Sequence, residues 1–166
     1  MFPKYDIGKN GELYVRDIFT NCGFIAEINN DYEKRYDYDL LIEMSKIKFS
    51  IEVKFDILAL KYGNLAIEVR NCKKNVPSGI YSTQADIWVH LLTEKDCSIT
   101  AYAIPVKKLI HFVENTIPLK ATTKSGDKNA NLMVYKKDII LPQFTRFDYI
   151  SNSKLLERIF SNLLSK

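Results

Sequence analysis

The chain has 166 residues, 46% hydrophobic and 27% charged, which is one domain's worth of ordinary globular sequence, long enough to bury a substantial core and without repeats or low-complexity tracts. No stretch has the run of apolar residues a membrane helix needs, and residues 1–6 lack the apolar segment of a signal peptide. The net charge of +4 permits nucleic-acid binding without arguing for it, and three cysteines (Cys22, Cys72, Cys97) with no Cys-x-x-Cys pair read as reduced thiols of a cytosolic protein.

Residues 8–22 read as a helix. Leu13, Ile18, Phe19 and Cys22 fall at helical spacing, Tyr14 flanks the stripe, and Gly23 supplies a C-terminal stop. Glu12 lies in the first or second turn, where a solvated glutamate is favoured by the helix dipole in any case. Residues 24–28 form a short predicted strand, and 29–35 a polar loop carrying Lys34 and Arg35.

The most informative stretch runs from 36 to 56. Residues 36–42 read as a strand that opens on acids, Asp37 and Asp39. The polar residues 43–48 turn the chain back. In residues 49–56, Phe49, Ile51, Val53 and Phe55 alternate with Ser50, Glu52, Lys54 and Asp56, the period of two that marks a strand. Glu52 and Lys54 therefore leave the same face of the sheet, and the hairpin sets Asp39 beside Glu52. Two adjacent carboxylates repel unless a cation separates them, and an oxygen-only donor set suits Mg²⁺, which keeps few carboxylates and several waters.

Residues 57–62 are a predicted connection and Gly63-Asn64 a turn. Residues 65–70 alternate as a third strand, with Ala66, Glu68 and Arg70 on its polar side; Glu68 becomes a further acid of the site if this strand pairs with 49–56. Residues 71–79 read as a loop. Residues 87–92 are a continuous apolar run typical of a sheet centre. It contains His90, read as a core histidine; with His111 isolated as well, the chain does not offer the several Cys or His ligands of a zinc site. Residues 98–104 make another strand, and Pro105 starts a helix through 113. Residues 121–131 are polar, basic and read as disordered; 132–135 and 138–141 suggest short strands. The tail, 151–166, is an amphipathic helix whose stripe of Leu155, Leu156, Ile159, Phe160, Leu163 and Leu164 closes the core.

Glu12 on an N-terminal helix, Asp39 opening a hydrophobic strand and Glu52-x-Lys54 on the next together resemble the PD-(D/E)XK nuclease superfamily. Glu12 matches the additional acid of its Holliday-junction-resolvase and phage-endonuclease branches. The resemblance covers residues 8–105. Tyr38 stands where a proline often precedes the Asp, which leaves Asp37 and Asp39 both open as the ligand. A second string, Gly63-Asn64-Leu65, Glu68, Ser78-Gly79, Thr83 and Ala85-Asp86, is similar to one in phage-type members.

The resemblance implies an α/β fold with a central mixed β-sheet flanked by helices, a restriction-endonuclease-like core. We read residues 1–166 as one domain, with 106–166 a C-terminal elaboration. It implies a DNA endonuclease, selective for branched DNA, with catalytic residues Glu12, Asp39, Glu52 and Lys54. Mg²⁺, replaceable by Mn²⁺, would sit on Asp39, Glu52 and the carbonyl of Val53. Lys9, Arg35, Lys61, Arg70, Lys73, Lys74, Ser78 and Thr83 are the expected sugar-phosphate contacts, which position a strand without reading its sequence. Asp37, Glu68 and Gln84 are auxiliary candidates. Resolvase-like enzymes act as dimers, so a homodimer is the corresponding expectation. The rival expectation is a binding module on the same fold that does not cut, since fold does not dictate function.

Overall fold

A computed structural model of the chain describes residues 6–31, 37–124 and 130–165. Its first helix, α1 (Asp6–Asn21), buries Val15 and Phe19 completely. Gly23, at φ +81°, ends it: the Gly23 N–H donates to the Thr20 carbonyl (2.9 Å) and the Phe24 N–H to that of Phe19 (3.1 Å), a Schellman closure that needs the left-handed residue.

The chain then builds β1 (Ile25–Ile28), β2 (Leu40–Met44) and β3 (Ile47–Asp56) as an antiparallel meander. Beyond β3 come the short helix α2 (Ala59–Tyr62), β4 (Asn64–Asn71), β5 (Val76–Pro77), β6 (Ile87–Thr93) and β7 (Ile99–Pro105). They are followed by α3 (Val106–Asn115), β8 (Lys120–Lys124), β9 (Ala130–Lys136), α4 (Lys137–Ile140), β10 (Thr145–Arg146) and α5 (Ser153–Leu164). Two sheets result. The first is six-stranded, in the order β1-β2-β3-β6-β7-β10, and is mixed because β3 runs parallel to β6 while its other pairs are antiparallel. The second is four-stranded and antiparallel, in the order β5-β4-β9-β8.

The alternation of β3 separates two cores. Phe49 and Ile51 join Phe19, Leu40, Ile42, Val89, Leu91, Phe147 and Phe160 in the first. Phe160, fully buried, has ring centroids 5.0, 5.3 and 5.2 Å from those of Phe19, Phe49 and Phe147, so α5 closes this core as its stripe predicts. The second core holds Leu65 and Ile67 of β4, Trp88 and Leu92 of β6, and Leu109 of α3. Glu52 and Lys54 of β3 pair in register with Trp88 and His90, and so share the face that looks toward this second core.

Four expectations are corrected. The strand read over 36–42 begins only at Leu40 and runs to Met44. The strand at 65–70 exists, but β4 pairs with β5 and β9 rather than with the Glu-x-Lys strand. The polar stretch 121–131 is not disordered throughout: residues 121–124 end β8 and 130–131 begin β9. As an edge strand with largely exposed side chains, β8 needs no apolar alternation. The strand expected at 138–141 is instead α4 running into a 3-10 turn (Leu141–Gln143); four residues are too few to display a period.

Candidate active site

Asp39 sits at the mouth of β2. Its backbone N–H donates to the Ile51 carbonyl (2.8 Å), which extends the β2–β3 ladder by one residue, and its Oδ2 accepts from the Val53 N–H (2.7 Å). The carboxylate is therefore held against the peptide that joins Glu52 to Val53. Gly11 brings the third acid in: a Cβ there would meet Leu91, Phe55 and Val53 at 3.3–3.4 Å, so a glycine lets α1 lie close on β3 and β6 and places Glu12 within electrostatic reach of Asp39 and Glu52.

Burial raises all three carboxyls, and the charge of Asp39 adds to the rise of the other two. Burial, then the negative charge of Asp39, pushes Glu52 up to about 8, against the pull of the Thr83 hydroxyl and Lys54. Glu12 is pushed up to about 7 by burial and then by Asp39, with Lys9 opposing. Asp39 is raised by burial, partly offset by the Val53 N–H and Lys54. Buried carboxyls that also face one another are a pattern found at functional sites. Among the described residues no group of three or more Asp, Glu, His and Cys side chains is close enough to hold a metal ion by itself. The expected set is smaller, two carboxylates and the Val53 carbonyl completed by water.

A loop from the second half of the chain supports these acids. The Thr83 hydroxyl lies 3.1 Å from Glu52 Oε2 and 3.0 Å from the Asp37 carbonyl, and accepts from the Ala85 N–H (3.2 Å). Gln84 binds Asp37 twice, its backbone N–H donating to the carbonyl and its side-chain amide to Oδ1, both at 2.8 Å. Asp37 is thus a partner of Gln84, whereas Asp39 is the acid coupled to Glu52 and Glu12. Asp86 Oδ2 accepts from both the N–H (2.8 Å) and the hydroxyl (2.9 Å) of Ser50, clamping the starts of β3 and β6 together. A cleft of about 260 Å³, lined by Asp37, Tyr38, Ser50, Gln84 and Asp86 among others, opens beside the site.

Glu68 reaches the site from the other sheet. Its Oε2 lies 3.9 Å from Lys54 Nζ and its Oε1 accepts from the Ser78 hydroxyl (2.8 Å). Gly79, at φ +56°, packs on the backbone of Glu68 so closely that any Cβ would collide with the Glu68 carbonyl. The Ser-Gly pair therefore serves the placement of Glu68. Of the other expected phosphate contacts, Lys9 is exposed and close enough to Glu12 to influence it. Lys61, also exposed, lies 5.1 Å from the Tyr62 ring. Arg70 is tied to Asn75 Oδ1 and to the Asn75 carbonyl (3.3 Å), and Lys73 and Lys74 project from the β4–β5 turn. Arg35 lies outside the described residues.

Sequence reading passed over one polar cluster beneath the site. His90 is fully buried; its Nδ1 accepts from Trp88 Nε1 (3.3 Å), and its Nε2 lies 3.8 Å from Asp56 Oδ2, too far for a hydrogen bond. Burial holds the imidazole below its ordinary range against the pull of Asp56. Burial acts to raise the Asp56 carboxyl, but His90 and the N–H groups of Leu58 and Ala59 keep it below the usual range. The period of two put Asp56 and Lys54 on one face, which was the available signal.

No protein-family profile matches the chain, and no curated protein matches its sequence. Among solved structures it is similar to a bacterial homing endonuclease, with a TM-score of 0.51, 18% identity, and 66% of this chain and 74% of that chain covered. It is also similar to a Holliday junction resolvase from the archaeal hyperthermophile Archaeoglobus fulgidus, with a TM-score of 0.46, 12% identity, and 87% and 94% covered. The fold is thus shared with the homing endonuclease: a mixed sheet flanked by helices, the nuclease fold that the acid and lysine pattern resembles.

Proposed function

We propose that the chain is a metal-dependent DNA endonuclease whose working groups are Glu12, Asp39, Glu52 and Lys54. One observation carries the reading: three acids and a lysine, from α1, the mouth of β2 and β3, meet on a nuclease fold with their carboxyls pushed toward the neutral form. The donor chemistry fits a hard divalent cation, since it is all oxygen and its negative charge is poorly compensated. Asp39, through the oxygen not bonded to Val53, Glu52 and the Val53 carbonyl would hold Mg²⁺. The ion would supply charge neutralisation at a phosphodiester and a more acidic bound water.

The chain's own groups then have distinct parts. Lys54, 44% exposed, would present its ammonium to the negative charge that builds on the phosphoryl oxygens during attack. Glu12, poised near neutrality, can take a proton from a water in the site. The Thr83 hydroxyl fixes the Glu52 carboxylate. Lys9, Lys61, Lys73 and Lys74 offer sugar-phosphate contacts that would hold a DNA strand without reading it. Branched DNA is the substrate class we favour, with a homodimer presenting two such sites.

The test is a cleavage assay with Mg²⁺ or Mn²⁺ on labelled duplex, single strand, flap, four-way junction and RNA, with Lys54→Ala and Glu52→Ala beside the parent. Metal-dependent cutting lost in both variants, with unchanged thermal unfolding of Lys54→Ala, is the expected result. Binding without cutting by the parent would assign the fold to a non-catalytic module, and normal cutting by either variant would refute the residue assignment.

A further inference from the structure

The arrangement of Lys54 between two sets of acids has a consequence for the cation. A lysine side chain is a flexible four-carbon stem with a compact charge at its tip. With nothing else near, Lys54 would fold onto Asp39 and Glu52, whose charge it already feels. There it would occupy the place of a divalent ion. Glu68 is the acid in ion-pair contact with it, 3.9 Å from the ammonium and only 14% exposed. It belongs to β4, in a different sheet from β3. Two contacts fix it: the Ser78 hydroxyl on Oε1, and the Gly79 backbone seated on the Glu68 peptide at a left-handed φ of +56°. One carboxylate oxygen is thereby held in place while the other faces Lys54.

We propose that Glu68 is a positioning residue that holds the Lys54 ammonium away from Asp39 and Glu52 and so keeps the acid pair open to a divalent cation. The inference rests on the metal reading above and adds the residue that keeps Lys54 from competing with the ion. It also gives the Ser78-Gly79 pair a purpose, since both residues act on Glu68.

Mn²⁺ binding, followed by electron paramagnetic resonance on the full chain without DNA, separates the possibilities. Glu68→Gln is expected to raise the Mn²⁺ Kd about tenfold, and Ser78→Ala to raise it by a smaller factor in the same direction. Loss of one negative charge near the site would also weaken binding, so the decisive arm is the Lys54→Met background. If Glu68 acts by holding Lys54, Lys54→Met/Glu68→Gln binds Mn²⁺ as well as Lys54→Met alone. An equal loss from Glu68→Gln in both backgrounds would assign Glu68 a purely electrostatic part and overturn the proposal, as would an unchanged Kd in Glu68→Gln alone. A parent protein that binds no Mn²⁺ would instead overturn the metal reading, and this inference with it. Thermal unfolding of each variant checks that the fold is retained.

Discussion

Burial and mutual repulsion of the acids should make the metal-free protein less stable as pH rises, and the effect can be sized. Glu52 has a folded pKa of about 8 against an ordinary value of 4.5. The folded state therefore binds the proton more tightly than the unfolded state. Its contribution is fully present below pH 4.5 and is lost as pH climbs through 8. His90, held below its ordinary range, acts in the opposite sense up to the ordinary histidine value of 6.5, so the clean window lies above that. Between pH 6.5 and 8 each pH unit removes about 1.4 kcal/mol, or roughly 2 kcal/mol in all. In a chain of this size that is a fall in Tm of roughly 4–8 °C. Glu12, at about 7, adds to it with the same sign. The assay is thermal unfolding in EDTA at pH 6.5, 7.2 and 8, on the parent and on Glu52→Gln, which keeps the shape and removes the charge. Glu52→Gln should show a flatter pH dependence and a higher Tm at pH 8. Millimolar Mg²⁺ should raise the parent's Tm at pH 8 and leave Glu52→Gln nearly unmoved. A parent Tm that is level across this window, or a Glu52→Gln slope equal to the parent's, would refute the claim that burial and repulsion between acids dominate here.

Three further outcomes follow from packing and backbone geometry. Gly79→Ala should cost more than about 3 kcal/mol in urea unfolding, since it combines a left-handed φ with a Cβ driven into the Glu68 carbonyl. Gly23→Ala is the control: it shares a positive φ, +81°, but its Cβ meets nothing within 4 Å, so about 1 kcal/mol is expected. Phe160→Ala empties a site enclosed by three aromatic rings and should cost about 3–5 kcal/mol by the same measurement.

Much of the architecture was legible because the physics that makes it is local. A strand whose two faces meet different surroundings must alternate, and β3 does: Phe49 and Ile51 enter the first core while Ser50, Glu52, Lys54 and Asp56 face the other way. β6, buried from Ile87 to Leu92, shows instead as an apolar run interrupted only by His90, and the C-terminal helix announces its stripe because one side is wet. What could not be read was partnership between distant pieces. The alternation of β4 is equally compatible with pairing to β3 or to β9, and only the folded chain decides for β9. The contact between Lys54 and Glu68 crosses from one sheet to the other and leaves no spacing rule in the chain. The short α4 failed for a different reason, since a single turn carries no period.

The choice between Asp37 and Asp39 shows how local chemistry divides two similar residues. Both are aspartates two positions apart, ahead of the same strand, and nothing in the sequence ranks them. In the fold they are bound to different elements. Asp37 satisfies the Gln84 side chain through its carboxylate and Gln84 and Thr83 through its carbonyl, so it anchors the loop that carries the Glu52 hydroxyl partner. Asp39 spends one oxygen on the Val53 N–H and couples electrostatically to Glu52 and Glu12. A metal ligand needs an oxygen not already spent on the backbone and a place beside the other ligand, and Asp39, which bonds Val53 through Oδ2 and raises Glu52, is the one we propose. Asp37 instead gives Oδ1 and its carbonyl to the loop at residues 83–84. Asp37→Asn should therefore retain Mn²⁺ binding, because an amide oxygen still accepts from Gln84, whereas Asp39→Asn should lose it. Equal loss in both would mean that the Gln84 anchor and the acid pair act as a single unit, and that dividing their roles is wrong.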